Sequence, residues 1–338
     1  MDKMTDSQIF NIVKKTISDF KFSEFIWVYC RPTIADLFKP EKRCGIYILR
    51  FTNNQFYVGQ AVDVVRRFVQ HTKVHDDIQE ISFKTFPKTE LNRVEQEIIK
   101  LLEIRNVTLR NINLTSIPKG DTDLDLIISP SEQQLWLQSN HNNELTEYWL
   151  NEPNLQVKYS RKFQKLLKRK DFIDSAKPFL IEYFKKCVLQ PSKTELSFWS
   201  LTCLTKAFID SDLVALCRLN LFWCEVLTIW IDDDKSIHYT FHLTKSLLPK
   251  SYLLRKILKI KSLSISNHFY QRGGPDQFSV EVTGIQDALK LLDNDKIVMA
   301  IKTFNLRQMQ KGATIYGKYH CVDLAKLILT NDIIVTKK

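Results

Sequence analysis

Residues 45–60 read GIYILRFTNNQFYVGQ, two β-rich runs at 45–51 and 56–60 joined by TNNQ. Asn53 and Asn54 tolerate the geometry of a tight turn between antiparallel strands, so the stretch predicts a β-hairpin. Downstream, DVVRRFVQH from Asp63 spaces Val64, Val65, Phe68 and Val69 as on a helix, and ISFKTF at 81–86 returns to an extended pattern that Pro87 ends. TELNRVEQEIIKLLEIR then sets Leu91, Val94, Ile98, Leu101 and Leu102 in one apolar stripe behind Thr89 as cap. Upstream, Ile9, Ile12, Val13 and Ile17 predict a packing helix from residue 6 to about 20, capped by Asp6 or Ser7. The order strand, strand, helix, strand, helix predicts a small α+β module, a three-stranded antiparallel sheet flanked by helices.

The full chain of 338 residues has room for one large or two ordinary domains, and a hydrophobic fraction of 44% supplies a normal core. With only 8 Gly and 10 Pro and no internal repeat, collagen-like, disordered and solenoid classes are excluded. The opening MDKMTDSQIF lacks the basic and apolar segments of a secretory signal, and no apolar run reaches membrane-spanning length. The expectation is a cytoplasmic protein with no membrane partner. Seven scattered cysteines with no CxxC pair point to reduced, buried side chains rather than to zinc or a disulfide framework.

A net charge of +11 suggests a polyanionic partner. Residues 158–186 carry ten Lys/Arg against three acids, and residues 242–261 carry six against none. Between the module and the first basic stretch, residues 116–156 hold one Lys and seven acids. The organisation expected is therefore residues 1–43 as helix and lead-in strand, 44–115 as the module, 116–156 as an acidic linker with a short helix at 131–138, and 157–338 as a second α+β domain for DNA or partner recognition. In that domain 194–231 reads as apolar helix and strand, and SIHYTFHLT and FSVEVTG read as strands before a helix from about 284. YLLRKILKIK at 252–261 fits a phosphate-facing, partner-binding or membrane-surface helix equally.

Chemistry-bearing residues gather in the module. Arg67 and His71 lie one helical turn apart, both able to point over the hairpin, and Glu95 sits early on the next helix, opposite in register to the apolar stripe. In Gly45-Ile46-Tyr47, Tyr57-Val58-Gly59, Arg67, His71, Glu95 and Asn111, residues 44–115 resemble the GIY-YIG nuclease family, with Val58 in place of the usual Ile and with Asn106 and Asn113 near Asn111.

The resemblance implies an endonuclease that hydrolyses DNA phosphodiester bonds with one Mg²⁺ or Mn²⁺ ion. Glu95 would hold the metal, Arg67 would grip the scissile phosphate, and Tyr47 would be the general base oriented by Tyr57 and His71, unless His71 takes that role. Gly59 would let backbone approach the phosphate or the helix start, and Asn111 would join it in substrate binding. Arg161, Lys162 and Lys165 on the basic helix are the candidate DNA-backbone contacts. Restriction, phage defence, homing and repair are the settings considered. The alternatives are a non-catalytic nucleic-acid-binding protein and a nuclease gated by a ligand or partner protein at the C-terminal domain. His75, four residues after His71, is set aside as a metal ligand, and Asp232, Asp233, Asp234, His238 and His242 are read as a polar turn entering a strand.

Overall fold

The strand Gly45–Phe51 is buried along nearly its whole length, and all but one of its residues are apolar or glycine. It is the centre of the N-terminal unit. A computed structural model describes residues 5–112, 114–118, 122–139, 150–207, 213–249, 260–266 and 270–330, and the chain divides into two units, Met1–Gly120 and Asp121–Lys338. The first runs α1 (Asp6–Asp19), β1 (Ile26–Trp27), β2 (Gly45–Phe51), β3 (Phe56–Ala61), α2 (Val64–Thr72), β4 (Ile78–Thr85) and α3 (Leu91–Ile104).

The sheet is antiparallel in the order β1-β4-β2-β3. The three expected strands are joined at one edge by the short β1, so residues 1–43 are part of this fold. Phe51 N–H donates to Gln55 O at 3.0 Å across the hairpin turn, where Asn54 takes φ 57°, a conformation Asn tolerates better than most residues. At the other edge Leu109 bridges Phe56 in parallel, and Arg110 N–H donates to Phe56 O at 2.7 Å.

Alternation divides β2 between two cores. Ile46 and Ile48 face α1 and α3, meeting Val13, Ile17, Val94 and Ile98. Tyr47, Leu49 and Phe51 face α2, meeting Val64 and Phe68. Two helix starts differ from expectation. Thr5 rather than Asp6 or Ser7 caps α1, exchanging bonds with Gln8 in a capping box. Thr89 does not cap α3, because Lys88–Glu90 forms a 3-10 turn after Pro87 and the helix begins at Leu91.

The second unit contains α4 (Pro130–Gln138), α5 (Pro153–Leu167), α6 (Lys177–Cys187) and strands β5 (Trp199–Lys206), β6 (Val214–Leu221), β7 (Cys224–Ile231), β8 (Ile237–Thr244), β9 (Ser264–Ser266) and β10 (Gln277–Thr283). The antiparallel sheet has the order β5-β6-β7-β8-β10-β9. Helices Ile285–Leu292, Asp295–Gln310 and Val322–Thr330 complete it. Residues 194–231 are therefore mainly three strands, where a helix and strand were expected.

Residues 122–139, expected within the acidic linker, are folded into this unit: Leu124, Ile128 and Trp136 join its core. The buried Lys302 also donates to the carbonyls of Trp136 and Ser139, closing the C-terminal end of α4. Asp232 accepts from Ser236 N–H at 2.7 Å and bonds His238 Nε2 at 2.9 Å, a polar turn leading into β8. The amphipathic stretch 252–261 lies, except for its last two residues, outside the described residues. Among the described residues no helix is long and apolar enough to cross a membrane.

Candidate active site

Tyr47 pairs with Gly59 on β3 and with Phe83 on β4. Directly opposite residues share a face of the sheet, so the Tyr47 side chain can turn across Gly59. A Cβ on Gly59 would collide with the phenol of Tyr47 and the ring of Tyr57. This glycine makes room for the phenol of Tyr47. Gly45 admits the carbonyl of Lys84 on β4, which a Cβ there would strike.

The α2 helix brings the other half of the site onto this face. Asp63 caps it, accepting from Val65 and Arg66 N–H at 2.9 and 3.1 Å, and so fixes where Arg67 and His71 emerge. The Tyr47 hydroxyl lies 2.7 Å from His71 Nε2, and Arg67 Nε donates to it at 3.3 Å. The Tyr57 ring sits 4.7 Å from the His71 ring between centroids. Tyr47 is 1% exposed, whereas Tyr57 is half-buried and Arg67 exposed. Water entering the site therefore meets Tyr57 and Arg67 before Tyr47.

Glu95 lies in the buried row of α3, against the expectation that it opposes the stripe. Leu91, Val94, Glu95, Ile98, Ile99 and Leu102 are buried together, while Leu101 is only half-buried. The reason is helical geometry: residue 95 precedes 99 by four and 102 by seven, which puts all three on one face. Gln60 Nε2 donates to Glu95 Oε2 at 3.0 Å and to Asn92 Oδ1 at 2.6 Å, tying the carboxylate to β3.

These environments set the charges. Burial, then the neighbouring Tyr57, pushes the Tyr47 phenol well above its ordinary range, with Arg67 pulling the other way. Burial likewise raises Tyr57. Burial and the positive charge of Arg67, with a smaller push from His75, lower His71 from 6.5 to about 4. Burial raises Glu95 from 4.5 to about 7 against the Gln60 hydrogen bond and the charge of Arg67. At neutral pH the set holds two protonated phenols, a neutral imidazole, a guanidinium and a carboxyl poised to lose its proton.

Asn111 stands apart from this cluster. It is buried, its Oδ1 accepts from Val58 N–H at 2.9 Å, and its Nδ2 donates to Val58 O at 2.6 Å. Both ends of the amide hold β3 between Tyr57 and Gly59, so it positions the strand where contact with substrate had been expected. Arg161, Lys162 and Lys165 are exposed on α5 of the second unit.

Two supporting residues, Gln60 and Gln70, escaped sequence reasoning, and a third, His75, was weighed only as a metal ligand. Gln60 holds Glu95 and directly follows the Tyr-Val-Gly run. Gln70 accepts from Arg67 Nη1 at 2.8 Å and sits one turn after it. His75 lies 6.1 Å from His71 between ring centroids and 5.2 Å from Phe51. Helical spacing was the available signal for the last two.

Among the described residues no three His, Cys, Asp or Glu side chains form a metal-holding group. Glu95 is the carboxylate of the cluster with Tyr47, Tyr57, Arg67 and His71, and a hard cation that keeps most of its waters needs little more than one such group.

Residues 43–100 match the family model described as the GIY-YIG catalytic domain. The match spans β2 through most of α3, takes in Tyr47, Tyr57, Arg67, His71 and Glu95, and excludes Asn111. The segment thus carries a nuclease-family catalytic domain, and nuclease domains of this kind act on nucleic acid and are generally metal-dependent. No curated protein and no solved structure matches the chain significantly.

Proposed function

We propose that the chain is a metal-dependent DNA endonuclease, with Tyr47, Tyr57, Arg67, His71 and Glu95 as its catalytic set. The observation that carries the reading is the Tyr47 hydroxyl held between His71 Nε2 at 2.7 Å and Arg67 Nε at 3.3 Å, beside a buried carboxyl whose pKa is pushed to about 7. Such clustering of displaced titrations accompanies catalytic sites.

A buried, protonated phenol becomes a base only if its own proton has somewhere to go. Neutral His71 is that acceptor: as the attacking water gives a proton to the Tyr47 oxygen, the Tyr47 hydroxyl passes its own proton to Nε2, so that in net one proton leaves the water and one arrives on the imidazole. Tyr47 and His71 therefore act as one unit, with Tyr57 the member nearest solvent. Arg67 stabilises negative charge on the phenol oxygen through Nε and offers the rest of its fork to the scissile phosphate. Glu95 would hold Mg²⁺ or Mn²⁺, and the ion would supply Lewis-acid stabilisation of the leaving oxygen. Arg161, Lys162 and Lys165 are proposed as backbone contacts that capture DNA, the C-terminal unit supplying recognition or regulation. A cytoplasmic setting is proposed with it.

The test is cleavage of plasmid, linear, single-stranded and branched DNA by the purified full chain with Mg²⁺, Mn²⁺ or EDTA. Arg67→Lys and Glu95→Gln should each slow cleavage by roughly 10²–10³-fold, the scale of losing one preorganised charge-stabilising contact, with the fold retained. Cleavage at the parental rate in both variants would overturn the assignment.

A further inference from the structure

Beyond the catalytic unit, the C-terminal unit contains a cavity of about 210 Å³ against β5 and β6, roofed by α5 and the segment before the last helix. Its wall carries unsatisfied polar atoms: the Thr202 and Thr205 hydroxyls and Arg218 Nε are buried without hydrogen-bond partners. Thr202 is only 6% exposed. Leaving such a group unpaired costs about 1–3 kcal/mol, so several at one cavity point to something that binds there. Asn220, 2% exposed, lines the same wall and makes only long contacts through Nδ2, at 3.4 and 3.5 Å to the carbonyls of Ser200 and Arg218.

We propose that this cavity binds a single nucleotide, either free or as one unstacked unit of a strand. Three features choose that chemistry. Tyr159, Tyr316 and Tyr319 line the cavity, and tyrosine rings are platforms on which bases stack. The Tyr159 hydroxyl donates to Lys318 O at 2.8 Å, fixing that ring. The polar wall is also bipolar. Lys162 supplies a phosphate contact, while Glu225, paired with Arg218 at 3.1 Å, presents an acceptor suited to a ribose hydroxyl or exocyclic amine. Arg218 neutralises that carboxylate, and the Tyr270 hydroxyl also donates to it at 3.2 Å, so Lys162 is left as the cation for a phosphate.

Asn220 adds an amide able both to donate and to accept, as reading a base edge requires. Size sets the last limit, because about 210 Å³ falls below the ~300–1,000 Å³ of pockets that enclose a drug-sized ligand, so the cavity takes part of one unit, its base or its sugar phosphate, and never two units. Lys162, singled out as a backbone contact, thereby acquires a defined place in the recognition of nucleic acid or of a nucleotide effector.

Binding is measured by calorimetry on the full chain in EDTA, so the outcome does not depend on the nuclease reading. The probes are the 5′-ribonucleoside and 5′-deoxynucleoside monophosphates, inorganic phosphate, and single-stranded DNA pentamers of each base. The variants Lys162→Ala and Tyr319→Ala change exposed side chains, and circular dichroism checks their fold. Saturable one-to-one binding of a monophosphate, weakened about tenfold in at least one variant as for one lost stack or phosphate contact, supports the proposal with a free nucleotide as source. The same weakening seen only with a pentamer supports it with a strand as source. Absence of saturable binding, equal binding by parent and both variants, or phosphate competing as well as the nucleotides would overturn it.

Discussion

Glu95→Gln should stabilise the protein, and the gain should appear as pH rises. Burial lifts the folded carboxyl from 4.5 to about 7, so the folded state holds its proton more tightly than the unfolded chain does. A group raised in this way contributes its full stability below the unfolded value and loses it as pH climbs through the folded one. At 1.36 kcal/mol per pKa unit the difference is about 3 kcal/mol. Gln stays neutral and still accepts from Gln60 Nε2, so its advantage should be under about 1 kcal/mol at pH 5 and about 3 kcal/mol at pH 8.

Urea unfolding of both full chains in EDTA, from pH 5 to 8, measures this difference, and the contribution of the C-terminal unit is common to both and drops out. Magnesium ion at pH 8 supplies a second arm. An ion held by Glu95 at 100 times its Kd adds about 2.7 kcal/mol to the parent and far less to Glu95→Gln. A stability difference that stays flat from pH 5 to 8 would refute the buried-carboxyl argument. Parent and variant responding equally to the ion would refute Glu95 as its ligand.

His71 should impose the opposite slope. Its folded pKa is lowered from 6.5 to about 4, so its contribution is present above pH 6.5 and is lost as pH falls through 4, about 3 kcal/mol in all. In His71→Asn the acid-side loss should shrink by that amount in the same urea series. Gly59→Ala should cost about 1–3 kcal/mol, because the new Cβ displaces the Tyr47 phenol. Its cleavage rate should fall with that displacement, a pairing of unfolding midpoint and rate that checks the role of Gly59. Asn111→Leu leaves the N–H and C=O of Val58 unpaired, which should cost about 2–4 kcal/mol and should speed hydrogen exchange in β3 peptides.

The hairpin was legible because its signals were local: Asn53 and Asn54 for the turn, and apolar runs on either side. The three strands between Trp199 and Ile231 were less so. Their burial is nearly unbroken along both faces, as in Ala215–Cys217 and Leu219–Leu221, so the period of two that marks a half-exposed strand is largely erased. In the sequence Asp210, Ser211 and Asp212 were the remaining turn signal, and Phe222-Trp223 between the next two strands carries none. Residues 122–139 misled for the converse reason, since acids dominate the composition of 116–156 while Leu124, Ile128 and Trp136 pack into the core of the second unit.

In the proposed catalytic set the instructive residue is Glu95. A register that includes residues 91, 95, 98, 99 and 102 puts a carboxylate inside the apolar stripe of α3, where a structural residue would be Leu or Ile. Burying it there costs about the same 3 kcal/mol that its displaced titration represents. Such displaced titrations cluster at functional sites, which supports the role proposed for Glu95. In the sequence, the in-stripe carboxylate was thus a stronger pointer to function than either tripeptide, whose glycines answer first to the steric demands of Lys84 and Tyr47.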